Sequence, residues 1–189
     1  MTANQWSLPP LIMLVTSITA CSSSENWKEE VRLSDDRTIV VERETLFEQG
    51  GGELVSNRSG TKLKEYRIRF ANPGEAGKMI EWRSTKKDPA TWPEKPLILD
   101  IEAAQPIVFS LIAISNACED YLKYVYRNGA WIEEALPEKF EQRATNLFIR
   151  AGSDMPKFVN LETKRKGNAK IGYRPTLKQV GPTRQVCGI

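Results

Sequence analysis

The sequence predicts a mainly β protein, an antiparallel sandwich or open barrel with room for one short helix. Three observations carry that prediction. Lys62 to Phe70 alternates strictly, with Tyr66, Ile68 and Phe70 on one face and Glu65, Arg67 and Arg69 on the other. Two apolar stretches, Pro96 to Glu102 and Pro106 to Ser115, read as central strands. Turn signals separate about eight such short segments, the clearest being Asn128-Gly129, where both residues tolerate positive φ.

The elements follow in order. Lys28 to Ser34 and Thr38 to Leu46 form a hairpin about Asp35-Asp36-Arg37, with Val31 and Leu33 alternating with charged neighbours and β-branched residues at 39–41. Gly50-Gly51-Gly52 marks a loop or sharp turn before the alternating strand. Met79 to Arg83 reads as a further strand, followed by a polar, proline-containing loop through Trp92. Tyr121 to Arg127 and Trp131 to Ala135 flank the Asn128-Gly129 turn. The helix is placed at Glu138 to Arg150, because Phe140, Leu147 and Phe148 stand at i, i+7 and i+8 after Pro137. Short strands near Phe158 to Leu161 and Ile171 to Tyr173 complete the prediction.

At 189 residues the chain suits one ordinary domain, and its 40% hydrophobic and 27% charged residues exclude collagen-like or plainly disordered classes. The net charge of +3 gives no argument for a nucleic-acid partner. Histidine is absent, which removes Ser-His-Asp and Cys-His catalysis and His-ligated zinc. No metal, cofactor or catalytic residue is assigned.

Met1 to Ser24 carries no charged side chain; all 27 basic and 24 acidic residues lie from Glu25 onward. Within it, the apolar run Leu8 to Ala20 would span roughly 20 Å as a helix, short of the ~30 Å hydrocarbon core. Pro9 and Pro10 also disfavour an uninterrupted helix, so the run reads as an export signal rather than a permanent span. It ends Ile18-Thr19-Ala20-Cys21: a branched apolar residue, two small residues, then cysteine.

This segment resembles a bacterial lipoprotein signal peptide with its lipobox. The stretch before the apolar run carries no Lys or Arg, unlike most such signals. The resemblance covers about the first 25 residues and implies a signal peptide over residues 1–20, cleaved before Cys21, which becomes the acylated, palmitate-bearing N-terminus. It implies membrane lipid as a partner through Cys21. Because Ser22 follows, it implies an outer-membrane location facing the periplasm. Residues 21–26 are then the lipidated cysteine and a short tether, and residues 27–189 a single β-rich periplasmic domain. Acyl methylenes contribute about 0.8 kcal/mol each on burial, so two or three chains hold stably where one holds marginally.

Cys118 and Cys187 are the remaining thiols. In an oxidising compartment they read as a disulfide closing a loop of about 70 residues, stabilising by up to about 4 kcal/mol; a reactive thiol is the alternative. Two distant cysteines without histidine make a poor zinc site. Lys164-Arg165-Lys166 is the densest basic cluster, either an anionic-surface contact or a solvated loop beside an edge strand. Tyr124, Tyr126 and Trp131 suit either a partner face for another envelope protein or a β core. Pro73 to Lys78 lacks the spacing of a phosphate loop and reads as a turn. Asp100, Glu102, Glu119 and Asp120 leave open a carboxylate hydrolase acting on envelope glycan. The leading expectation is a binding or structural envelope protein, with that hydrolase and a small-molecule or lipid carrier as alternatives.

Overall fold

The computed structural model describes residues 23–49, 60–90, 92–115, 117–149, 155–169 and 179–188. The predicted signal segment, Cys21, the Gly50-Gly51-Gly52 turn and the strand at Ile171 to Tyr173 lie outside them. The first eight strands are β1 (Ser23–Arg32), β2 (Thr38–Gln49), β3 (Thr61–Ala71), β4 (Met79–Arg83), β5 (Lys95–Glu102), β6 (Gln105–Ala113), β7 (Cys118–Arg127) and β8 (Ala130–Glu134). There follow β9 (Arg143–Ala144), β10 (Phe158–Val159), α1 (Leu161–Ala169), β11 (Gln179–Val180) and β12 (Gln185–Cys187). The mainly β prediction holds.

Two sheets share a core. One has the order β10-β1-β2-β3-β4, antiparallel except for the parallel β1–β10 pairing; the other runs β12-β7-β6-β5 with β8 also on β7. Strand β7 divides one edge between two partners, β12 against Cys118 to Asp120 and β8 against Lys123 to Arg127. Side chains from both sheets interlock in one cluster, Val31, Val41, Ile68, Phe70 and Trp82 meeting Leu99, Val108 and Tyr124. Trp82 and Tyr124 touch edge-on across it at 5.8 Å. The far face of the second sheet is apolar too, with Leu97, Phe109, Tyr121 and Val125 covered by Leu136, Phe140, Ile149 and Val180 of the C-terminal third. A strand buried on both faces reads as a continuous apolar run, which is why β5 and β6 do.

The predicted helix at Glu138 to Arg150 is corrected. Its three large apolar residues serve three different places. Phe140 stacks on Phe109, Leu147 enters the inter-sheet core, and Phe148 packs with Trp27 and Val159. A helix presents such residues to one surface, whereas this segment runs across the sandwich and finds backbone hydrogen-bond partners outside itself: Phe140 N–H donates to Pro182 O, and Leu147 N–H to Leu97 O. The helix is α1 instead, where only the strand ending at Leu161 was expected. Asn160 caps it by accepting from Thr163 N–H at 2.8 Å, and the Glu30 carboxylate accepts from Leu161 N–H at 3.0 Å. Gly167 lets α1 approach Phe148: a Cβ there would stand 2.4 Å from the ring.

Ser23 to Asn26, expected as tether, are paired in β1 with Phe47, Leu46, Thr45 and Glu44. The β5–β6 hairpin turns through Ala103 and Ala104, both left-handed at φ 48° and 63°. An L side chain in that region costs about 1 kcal/mol. Replacing the pair by Asn-Gly, the residues this turn favours, is expected to stabilise the protein by about 1 kcal/mol in urea titrations.

Candidate functional site

A charged cluster lies inside the β1 end of the sandwich. Period-2 alternation puts Trp27, Glu29 and Val31 of β1 on the inner face, and Val41, Arg43 and Thr45 of β2 beside them. Glu29 is 0% exposed, Arg43 3% and Lys164 of α1 4%. Glu29 Oε1 accepts from Arg43 Nη1 at 2.5 Å; its Oε2 accepts from Phe148 N–H at 2.9 Å and lies 3.4 Å from Lys164 Nζ. Lys164 also donates to the carbonyls of Glu30 and Asn146. Arg43 lies over the Trp27 ring at 5.2 Å. One carboxylate thus joins β1, β2, the crossing segment and α1, with two cations against it.

Burial pushes the Lys164 ammonium down to about 8, against the partial pull of Glu29. Between pH 8 and the ordinary lysine value, the unfolded chain holds a proton that the folded chain has released, so this residue makes stability rise with pH there. Burial pushes the phenols of Tyr66 and Tyr121 up to about 12, and that of Tyr124 further up. Above pH 10 the unfolded chain loses protons that the folded one keeps, and stability falls. The urea midpoint is therefore expected to rise from pH 8 to pH 9.5 and to fall beyond pH 10.5. A Lys164→Met variant is expected to lose the rise and keep the fall.

Beside this cluster opens a cleft of about 380 Å³, lined by Arg32, Thr145, Asn146, Leu161, Lys164, Arg165 and Asn168. Among the described residues its walls carry three cations and no carboxylate. Asn146 and Asn168 are committed to backbone partners: Asn146 bonds both backbone groups of Leu99 and the carbonyl of Arg32, while Asn168 bonds Ile149 N–H and the carbonyl of Leu147. A second opening of about 420 Å³ lies over Asn26, Lys28, Glu42 and Lys157.

The predicted basic cluster is divided by α1. Lys164 is corrected from a solvated loop position to a buried one, Arg165 lines the cleft, and Lys166 pairs with Glu162 at 2.6 Å on the exposed side. The predicted partner face is corrected as well. Tyr124 is buried and donates to Glu94 at 2.8 Å; Trp131 packs on Tyr126 at 5.3 Å and donates from Nε1 to Glu81 O at 2.8 Å, tying β8 to β4. These aromatics join the sheets rather than form an exposed patch. Cys118 and Cys187 stand opposite each other on β7 and β12, 4.1 Å apart at Cα, and form the disulfide.

The four carboxylates weighed for hydrolysis do not meet in one place: Asp100 and Glu102 share Arg143, while Asp120 stands two strands away on β7. Asp100 pairs with Ile107 of β6 and Asp120 with Ile112 on the other flank, five residues on. That offset is roughly 17 Å, well beyond the spacing of a glycosidase pair. Asp100 and Glu102 both bind Arg143, and Asp100 also accepts from Ser34 N–H at 3.1 Å.

Glu94 was missed in the proline-containing loop. Fully buried, it accepts from Thr85 and Lys86 N–H at 2.9 and 3.2 Å, Ser110 Oγ at 2.7 Å and Tyr124. Among the described residues no group of three or more His, Cys, Asp or Glu could hold a metal ion, and no helix is long and apolar enough to cross a membrane. Comparison with known proteins assigns no family: no family model matches the chain, and neither a curated protein nor a solved structure matches it.

Proposed function

We propose that the chain is a lipid-anchored protein of the bacterial cell envelope whose β domain binds a ligand or partner rather than catalysing a reaction. The observation that carries this reading is the lipobox-like end of the uncharged apolar run at Cys21. Ser23, two residues after Cys21 in the sequence, is already paired with Phe47 in β1. A lipid on Cys21 then holds the Ser23 end of the sandwich against the membrane face with only Ser22 between them. The lipobox-like Ile18-Thr19-Ala20-Cys21 supplies the acylation site, and Ser22 favours the outer membrane. The commitment of Asp100 and Glu102 to Arg143 supports binding over carboxylate hydrolysis.

Metabolic labelling with radioactive palmitate tests the anchor. The wild-type protein is expected to take up label and to band with outer membranes on a density gradient, and Cys21→Ala to take up none. Label persisting in the variant, or absent from the wild type, would count against the reading.

A further inference from the structure

The cleft between β1 and α1 has a chemistry of its own. Arg32, Lys164 and Arg165 bring three positive charges to its walls, and no Asp or Glu lines it among the described residues. Their engagement differs. Lys164 is held from behind by Glu29, which it shares with Arg43, and by two carbonyls. Arg32 pairs with Asp36 at 2.7 Å in a highly exposed contact, the kind that contributes little and exchanges readily. Arg165 is exposed and has no ion pair among the described residues. Leu161 and the stem of Lys164 add an apolar wall beside the charges. The volume falls at the lower end of small-molecule sites.

From these features we infer that the cleft is a binding site for the oxyanion group, phosphate or carboxylate, of a small, partly apolar molecule, with Arg165 as its principal unpaired partner and Arg32 as the second. A guanidinium meets such groups with two parallel hydrogen bonds, and the carboxylates nearest the cleft, Glu29, Glu30 and Asp36, are themselves engaged by Lys164, Leu161 N–H and Arg32. The ligand comes from solution. Arg32 is the last residue of β1 and Ser23 the first, so the cleft mouth stands about 30 Å along the strand from the end nearest Cys21. The oxyanion chemistry holds whether or not Cys21 is lipidated; only the direction of approach rests on the anchor reading.

Calorimetric titration of the full chain with inorganic phosphate and with butyl phosphate tests the site. Both are expected to bind, butyl phosphate more tightly because its chain meets Leu161. Arg165→Glu is expected to weaken both by about tenfold or more, while Lys166→Glu on the outer side of α1 leaves them unchanged. Arg165 is exposed and has no ion pair among the described residues, so its replacement tests binding with little effect expected on the fold. Vesicles of phosphatidylcholine with and without phosphatidylglycerol, mixed with full-length Cys21→Ala protein, separate the source of the anion. Arg165-dependent binding to the anionic vesicles, with no response to either phosphate, would overturn the inference in favour of a headgroup contact. Phosphate binding that survives Arg165→Glu, or no binding of any probe, would overturn it outright.

Discussion

Replacing Glu29 by Gln is expected to destabilise the protein by about 3 kcal/mol or more, the cost of leaving buried charge without its partner. The substitution keeps side-chain volume and an oxygen able to accept from Phe148 N–H. It removes the carboxylate that pairs with both Arg43 and Lys164, which are 3% and 4% exposed. The loss should show as a lower urea midpoint with an unchanged slope. Adding Lys164→Met takes away one of the stranded cations, so the double variant is expected to be more stable than Glu29→Gln alone. A drop below 1 kcal/mol for Glu29→Gln would mean that the cluster is hydrated and does not tie α1 and the crossing segment to β1.

Glu94→Ala is expected to have an effect of similar size, about 3 kcal/mol or more. It strands Ser110 Oγ and the Tyr124 hydroxyl in the core, together with the Thr85 and Lys86 N–H groups. Glu94→Gln is expected to cost less than half as much, since its oxygen can still accept from the two N–H groups while the hydroxyls rotate to accept from its amide. Tyr124→Phe, which removes one donor and keeps the ring against Trp82, is expected to cost about 1 kcal/mol. Equal losses for Ala and Gln at position 94 would show that the negative charge, not the hydrogen bonding, matters there.

The first eight strands were legible because their signals are local. The alternation at Tyr66, Ile68 and Phe70, the apolar runs of β5 and β6 and the Asn128-Gly129 turn each arise from residues adjacent in sequence. In the C-terminal third the short strand at Phe158 was legible, but the segment from Glu138 was not, because Phe140, Leu147 and Phe148 answer to three separate clusters made elsewhere in the chain. Helix α1 buries little apolar surface of its own and carries Gly167, so no hydrophobic stripe marks it; its one signal was Asn160 as a cap. At the site, Glu29 does share a strand face with Trp27 and Val31, so its inward position was readable from the alternation. Its partners were not, since Arg43 and Lys164 reach it across 14 and 135 residues of chain. Arg165 was singled out within a basic cluster, but the split of that cluster between buried, cleft and solvent sides depends on the helix.

The most direct test of the account is the intact mass of the protein extracted from membranes, measured beside Cys21→Ala. A wild-type mass lacking residues 1–20 and increased by acyl chains, with neither change in the variant, is the result expected of a domain held to the envelope by Cys21. A full-length, unmodified mass for the wild-type protein would contradict the anchored reading.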